Sequence, residues 1–154
     1  MLYKIDKNGF VVNEASFKKI QPYYKKILEE INQLYIEKLG SSLLSTYIRG
    51  SVSTGKAKPY VSDIDSVAIT KNKIPNRSLL WTIKVSRSLE EKYPKAELFE
   101  LTIVSLQELL KSEKYNNLRI YLKTQSVCLF GKDILPLLPK VRPNEKLAIK
   151  MYGK

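Results

Sequence analysis

At 154 residues, with 44% hydrophobic and 27% charged side chains, the chain is long enough for one soluble globular domain with its own core. Its formal charge of +12 suits a polyanionic partner such as a nucleoside triphosphate or nucleic acid, although the basic residues form no dense block and most read as solvating helix surfaces. The absence of histidine excludes Ser-His-Asp and Cys-His catalysis and imidazole zinc sites, leaving proton transfer to a carboxylate, Lys or Tyr and any metal to oxygen ligands, hence Mg or Mn.

No apolar run approaches the roughly 20 residues needed to span a bilayer, and the first ten residues lack a signal-peptide core. The single cysteine, Cys128 in SVCLFG, reads as a small buried hydrophobe rather than a nucleophile. The expected setting is the cytoplasm, with no membrane.

Taken in order, YKIDKNGFVV places Asn8-Gly9 between two short apolar runs and predicts a small hairpin within residues 1–13. Tyr24, Ile27, Leu28, Ile31, Leu34 and Tyr35 then recur at three- and four-residue intervals, which predicts an amphipathic helix from about Pro22 to Leu39. Pro22 suits its first turn and Gly40 the position past its end. SLLSTYIR, residues 42–49, is a strand candidate that runs straight into Gly50-Ser51, where glycine allows a sharp turn and close approach to a ligand.

Eleven residues separate Ser51 from Asp63, and Asp63-Ile64-Asp65 leads into the β-rich run SVAIT. Residues i and i+2 of a strand face the same way, so two carboxylates there can share one or two magnesium ions; without a cation they repel. A solvated loop before the strand is the equal alternative for this doublet. LFELTIV, residues 98–104, is a further strand with Glu100 at its centre, and a buried carboxylate there needs a partner, such as a metal shared with Asp63 and Asp65. The alternative is an edge strand with Glu100 facing water.

Between and after these, a helix is expected from Asn76 or Ser78 to about Lys92 with Leu79, Leu80, Ile83 and Leu89 inward and Trp81 in packing. Ser105 to Glu108 fits a capping box that opens another helix, and Val127 to Phe130 a short strand before a loop marked by Pro136 and Pro139. Lys56, Lys58 and Lys132 are weaker candidates for phosphate contacts.

Gly50-Ser51, the eleven-residue spacing, Ser62-Asp63-Ile64-Asp65 and the later Glu100 together resemble the nucleotidyltransferase superfamily with the DNA polymerase beta-like fold. FELTIVS and YLKTQSVCLFGKDILPLLP are similar to the third-carboxylate strand and following stretch of the streptomycin and spectinomycin adenylyltransferases. The resemblance implies an α+β fold, a mixed β-sheet carrying the acids on one face with helices mainly on the other. Residues 1–154 would form a single domain with a catalytic core at 42–139 and the start of a C-terminal helical segment at 140–154.

It also implies that Gly50, Ser51 and Ser62 face the nucleotide, and that Asp63, Asp65 and Glu100 ligate two magnesium ions. Glu100 would accept the proton of the incoming hydroxyl. The reaction implied moves a nucleoside monophosphate from an NTP, ATP foremost, to an acceptor hydroxyl on a small molecule, RNA or protein, with release of pyrophosphate. Two alternatives stand beside it: an RNA- or tRNA-directed transferase, and a non-catalytic interaction module such as a toxin–antitoxin component.

Two departures from the pattern are visible. Ser66 takes the first place of an apolar pair that usually follows the second aspartate. The chain also stops at Lys154, just after NEKLAIKMYGK begins a predicted helix, where many relatives have a helical C-terminal region that helps bind the acceptor; the expectation is either a minimal family member or a piece of a longer protein that lacks this C-terminal region or a partner protein.

Overall fold

Residues 3–143 are described in the computed structural model of the protein. Helix α1 spans Pro22–Leu39, and its stripe of Tyr24, Ile27, Leu28, Ile31, Tyr35 and Leu39 is buried, as the three- and four-residue spacing requires. Pro22 occupies the first turn, and Gly40 ends the helix with a φ of 52°.

The chain continues through β1 (Leu43–Arg49), a single helical turn α2 (Ser51–Thr54) and β2 (Ile64–Thr70). Helix α3 (Trp81–Lys92) then crosses to β3 (Phe99–Ser105), and α4 (Leu106–Lys111), α5 (Asn116–Gln125) and β4 (Ser126–Gly131) follow. The four strands form one mixed sheet in the order β3-β2-β1-β4. β1 is antiparallel to both β2 and β4, whereas β2 and β3 run parallel, joined by the α3 crossover.

Alternation along the strands splits the interior in two. Ile48, Ile64, Ala68 and Phe99 face the longer helices α1 and α3. Tyr47, Val67, Ile69 and Val104 face the shorter α4 and α5, through Leu109 and Leu122. The α+β class and the mixed sheet are therefore as expected.

Ser66, the unusual residue after Asp65, points into the first of these layers. It is buried, and its hydroxyl lies 2.7 Å from that of Tyr35 and donates to the Glu100 carbonyl at 3.2 Å. An apolar residue there would leave the Tyr35 hydroxyl short of a partner, so the pair ties α1 to the two strands that carry Asp65 and Glu100.

Other expectations change on folding. Residues 76–79 form a separate 3₁₀ turn before α3, and Leu80 and Ile83 are 63% and 53% exposed instead of inward. Trp81, Val85 and Leu89 supply the packing face, with Trp81 edge-on to Tyr35. Trp81, Val85 and Leu89 recur every four residues on one helix face, and Leu80 and Ile83 lie off that stripe. The N-terminal hairpin reduces to one antiparallel bridge, Ile5 with Val11, closed by the Asp6 carboxylate on the Asn8 and Phe10 N–H groups. Cys128 is half-buried, and burial pushes its thiol up from the ordinary value. The expected C-terminal helical segment falls, from residue 144 onward, outside the described residues.

Candidate active site

Strand register builds the site. Arg49 on β1 pairs with Asp65 on β2, and Asp65 pairs with Glu100 on β3, so the three form one row across the sheet. The next row on that face contains Tyr47, Val67 and Thr102. Charge is thus confined to the end of the face next to Gly50, beyond the cover of Leu109 and Leu122.

Arg49 is the residue that the sequence analysis missed. Its guanidinium stands 3.7 Å from Asp65 Oδ2 and 3.5 Å from Glu100 Oε2. The ring of Tyr121, from α5, lies under it with the guanidinium carbon 4.9 Å from the ring centre. The Arg49 side chain is only 10% exposed and that of Asp65 12%, so these two charges meet in a largely dry setting; Glu100 is 57% exposed. A charged residue closing an otherwise uncharged strand run was the available signal for Arg49. Nothing in the sequence marked Tyr121, because α5 itself was not foreseen.

The two aspartates separate. β2 begins at Ile64, leaving Asp63 in the preceding loop, half-buried, while Asp65 is inside the strand. Glu100 is the second residue of β3 rather than its centre, and β3 is an edge strand. An edge position lets its carboxylate reach water, which relieves the burial cost that the sequence pattern implied.

Gly50 has φ 81° and ψ −152°, a conformation that residues with a Cβ avoid. It brings the turn over the acid row: a Cβ on Gly50 would sit 3.7 Å from Asp65 Oδ2. The end of α5 locks this turn, since Gly50 N–H donates to the Gln125 carbonyl at 2.9 Å and Ser53 Oγ lies 2.9 Å from the same oxygen. Ser51 opens α2, while the Ser62 hydroxyl accepts from the Lys58 N–H at 2.8 Å and shapes the loop leading to Asp63. A cavity of about 250 Å³ adjoins the turn, lined among others by Tyr3, Glu14, Ser51, Thr54, Lys56 and Gln125. Lys58 and Lys132 are exposed and do not line it.

Comparison with protein-family models gives no match, and neither does a search of curated proteins. Among solved structures, the spectinomycin adenyltransferase AAD(9) from Enterococcus faecialis, in a crystal with ATP and spectinomycin, superposes with a TM-score of 0.55 at 22% identity. The chain has a nucleotidyltransferase fold. The superposition covers 79% of this chain and 60% of that one, so this nucleotidyltransferase fold spans about three fifths of the adenyltransferase's length. A toxin–antitoxin structure with AMP-PNP matches at a TM-score of 0.49 and 20% identity, over 81% of this chain and 83% of that one. The MNT antitoxin complex with the tri-AMPylated HEPN toxin of Shewanella oneidensis matches at 0.46 and 19%, over 84% and 83%.

Whether a cation suits this site is a matter of donor chemistry. Asp63, Asp65 and Glu100 offer only carboxylate oxygens, the set that Mg²⁺ accepts and zinc or copper does not prefer. Among the described residues, no three His, Cys, Asp or Glu side chains are already gathered as a metal-holding group. Strand register places Asp65 beside Glu100, and the guanidinium of Arg49 reaches both.

Proposed function

We propose that the chain is a Mg²⁺-dependent nucleotidyltransferase that moves a nucleoside monophosphate, AMP foremost, from the triphosphate to an acceptor hydroxyl. The carrying observation is the close approach of the Gly50 turn to Asp65, at the end of the row that joins Asp65 to Glu100. A triphosphate held at that turn has its α-phosphorus beside two carboxylates, in a site with no histidine to compete for the work.

In this reading Gly50, whose own N–H is held by the Gln125 carbonyl, lets the turn approach the β- and γ-phosphates closely, and Ser51 presents its backbone N–H and hydroxyl to them. Ser62 accepts from Lys58 and keeps its own proton to donate to the nucleotide. Asp63, Asp65 and Glu100 would hold magnesium, which when bound neutralises phosphate charge and favours attack at phosphorus. The acceptor oxygen forms a bond to the α-phosphorus, the bond from that phosphorus to the bridging oxygen breaks, and pyrophosphate leaves with the electron pair. The proton of the acceptor hydroxyl passes to the Glu100 carboxylate, whose exposure at the sheet edge makes it reachable from solvent. No protein nucleophile is required, because positioning and charge neutralisation supply the catalysis.

The test is a thermal-shift series with each of four NTPs, with and without Mg²⁺, on the wild type and Asp63→Ala. A site filled at about 100 times its dissociation constant adds roughly 2.7 kcal/mol of stability. A magnesium-dependent rise in Tm that the variant loses is the expected result and also names the preferred base. No rise with any NTP overturns the reading.

A further inference from the structure

We propose that the protein has a second ligand site, at the opposite end of the sheet from Asp65, and that it binds a small anion carrying more than one phosphate charge. The site lies apart from the acid row and does not rest on the nucleotidyltransferase reading. β2 and β3 are neighbouring parallel strands, and their last residues, Thr70 and Ser105, are register partners. The chain leaves β2 for α3, which packs through Trp81 and Leu89 on the α1 side of the sheet, and leaves β3 for α4, which packs through Leu109 on the other side. Neighbouring parallel strands whose connections depart to opposite faces leave a crevice beyond their carboxyl ends, the place where open α/β sheets hold ligands. Here that crevice is a cavity of about 410 Å³, within the size range of small-molecule sites.

Its lining decides the ligand. Lys71 and Lys73 come from the turn after β2 and Lys111 from the end of α4, with Asn72, Gln107 and Ser112 beside them as neutral hydrogen-bonding groups. Glu108 is the one acid among the described lining residues, and it is occupied: Oε1 accepts from the Ser105 hydroxyl at 3.1 Å, and Oε2 lies 3.8 Å from Lys73 Nζ. Three lysines to one glutamate give the lining an excess of positive charge, and concave walls of one sign concentrate their field on an anion. Lysine ammoniums act as point charges that suit phosphate, whereas the lining has no arginine fork to grip a planar carboxylate. An adjoining cavity of about 80 Å³ shares Lys73 and Ser105 and adds Lys114.

The walls are fixed by bonds that leave the Lys71 and Lys111 ammoniums out. The buried Thr70 hydroxyl donates to the Asn72 carbonyl at 2.7 Å, and the Lys71 N–H donates to the Ser42 carbonyl at 2.9 Å. Across the crevice the Glu108 N–H donates to the Ser105 hydroxyl at 3.2 Å, and the Arg119 guanidinium donates to the Ser112 carbonyl at 2.8 Å. The backbone on both sides is thus set before a ligand arrives, and an anion has only to draw in the lysine side chains.

Lysines that merely solvate the surface make a different prediction, because they would attract anions everywhere and saturate nowhere. The test is a titration of the isotopically labelled full chain with inorganic pyrophosphate, followed by amide NMR shifts, with EDTA in place of Mg²⁺ and at about 0.15 M salt so that loose surface attraction is screened. Saturable shifts are expected at residues 71–73 and 107–112. Lys71 and Lys111 are both exposed, so Lys71→Gln/Lys111→Gln should keep the fold and weaken this binding about tenfold, as loss of two partly screened ammonium contacts would.

Shifts confined to the Gly50–Thr54 turn, shifts that spread over the exposed lysines without saturating, or no shifts at all overturn the proposal. So does unchanged affinity in the folded double variant; if that variant does not fold, the position and saturation of the wild-type shifts decide. A short single-stranded RNA forms a second arm: if it saturates the same amides at lower concentration than pyrophosphate, the small-anion site is overturned in favour of a polynucleotide surface. Each of these outcomes leaves the nucleotidyltransferase reading standing, since neither NTP nor metal is present.

Discussion

One strand, β2, passes within two residues from a charged environment to a wholly apolar one. Asp65 keeps 12% of its side-chain surface and pairs with Arg49, while Val67 and Ile69, on the same face, are fully buried against α4 and α5. The backbone pairing is regular throughout, so the difference comes from what covers the face. Leu109 and Leu122 close over the far rows, and Tyr121, on the same helix as Leu122, covers Arg49 and leaves the end beside Gly50 open. A carboxylate is tolerated only where a cation has been built in and solvent is one residue away.

Moving the charge breaks that comparison most severely. Val67→Asp places a carboxylate in the dry row, where an unpaired ion costs several kcal/mol, on the order of the stability of a whole domain. Loss of the cooperative thermal transition is expected, and a variant melting near the wild-type temperature would show that the α4–α5 side is wet.

Removing the charge where it belongs does the opposite. Asp65→Asn keeps the shape and should leave the fold intact by circular dichroism while turnover falls about 10²- to 10³-fold, the cost of losing one electrostatic contact to the transition state. Full activity in this variant would remove Asp65 from the site.

A smaller effect sharpens the boundary. Tyr47, in the row next to Arg49, donates to Asp133 at 2.7 Å and accepts from the Ile134 N–H at 2.7 Å. Tyr47→Phe leaves the buried Ile134 N–H without its acceptor, while the exposed Asp133 keeps the Leu135 N–H, and should cost about 1–3 kcal/mol at neutral pH, measured by denaturant unfolding. Burial, with Asp133 beside it, raises the hydroxyl above the ordinary tyrosine value. A raised folded value means that this stability is complete below the unfolded value near 10 and is lost as pH climbs above it. The gap between wild type and Tyr47→Phe should therefore narrow above about pH 10; a constant gap would mean that the hydroxyl does not titrate on unfolding.

Much of this arrangement was legible in the residues, for local reasons. The period of α1 is written in its apolar spacing, and the Gly50 turn in the one residue type that tolerates its backbone. Ser105 capping α4 through the Glu108 N–H was equally readable. α3 misled because an apolar pair, Leu80 and Ile83, mimics a buried stripe although the helix begins one residue after Leu80. α5 was hidden because polar and β-branched residues dilute its pattern, and its burial is supplied by the sheet.

The sequence by itself determined the chemistry available: carboxylates, a glycine turn, no imidazole, and the spacing that joins them. Only the tertiary structure decided which of these groups meet. Arg49 and Glu100 are 51 positions apart in the chain, and their contact depends on the parallel register of β3 with β2 and the antiparallel register of β2 with β1. Register is a property of paired strands, set by which faces must be buried, and a slip of one residue would turn Asp65 to the opposite face, toward α1. That is why the acids could be read one by one, while the cation between them could be seen only in the folded sheet.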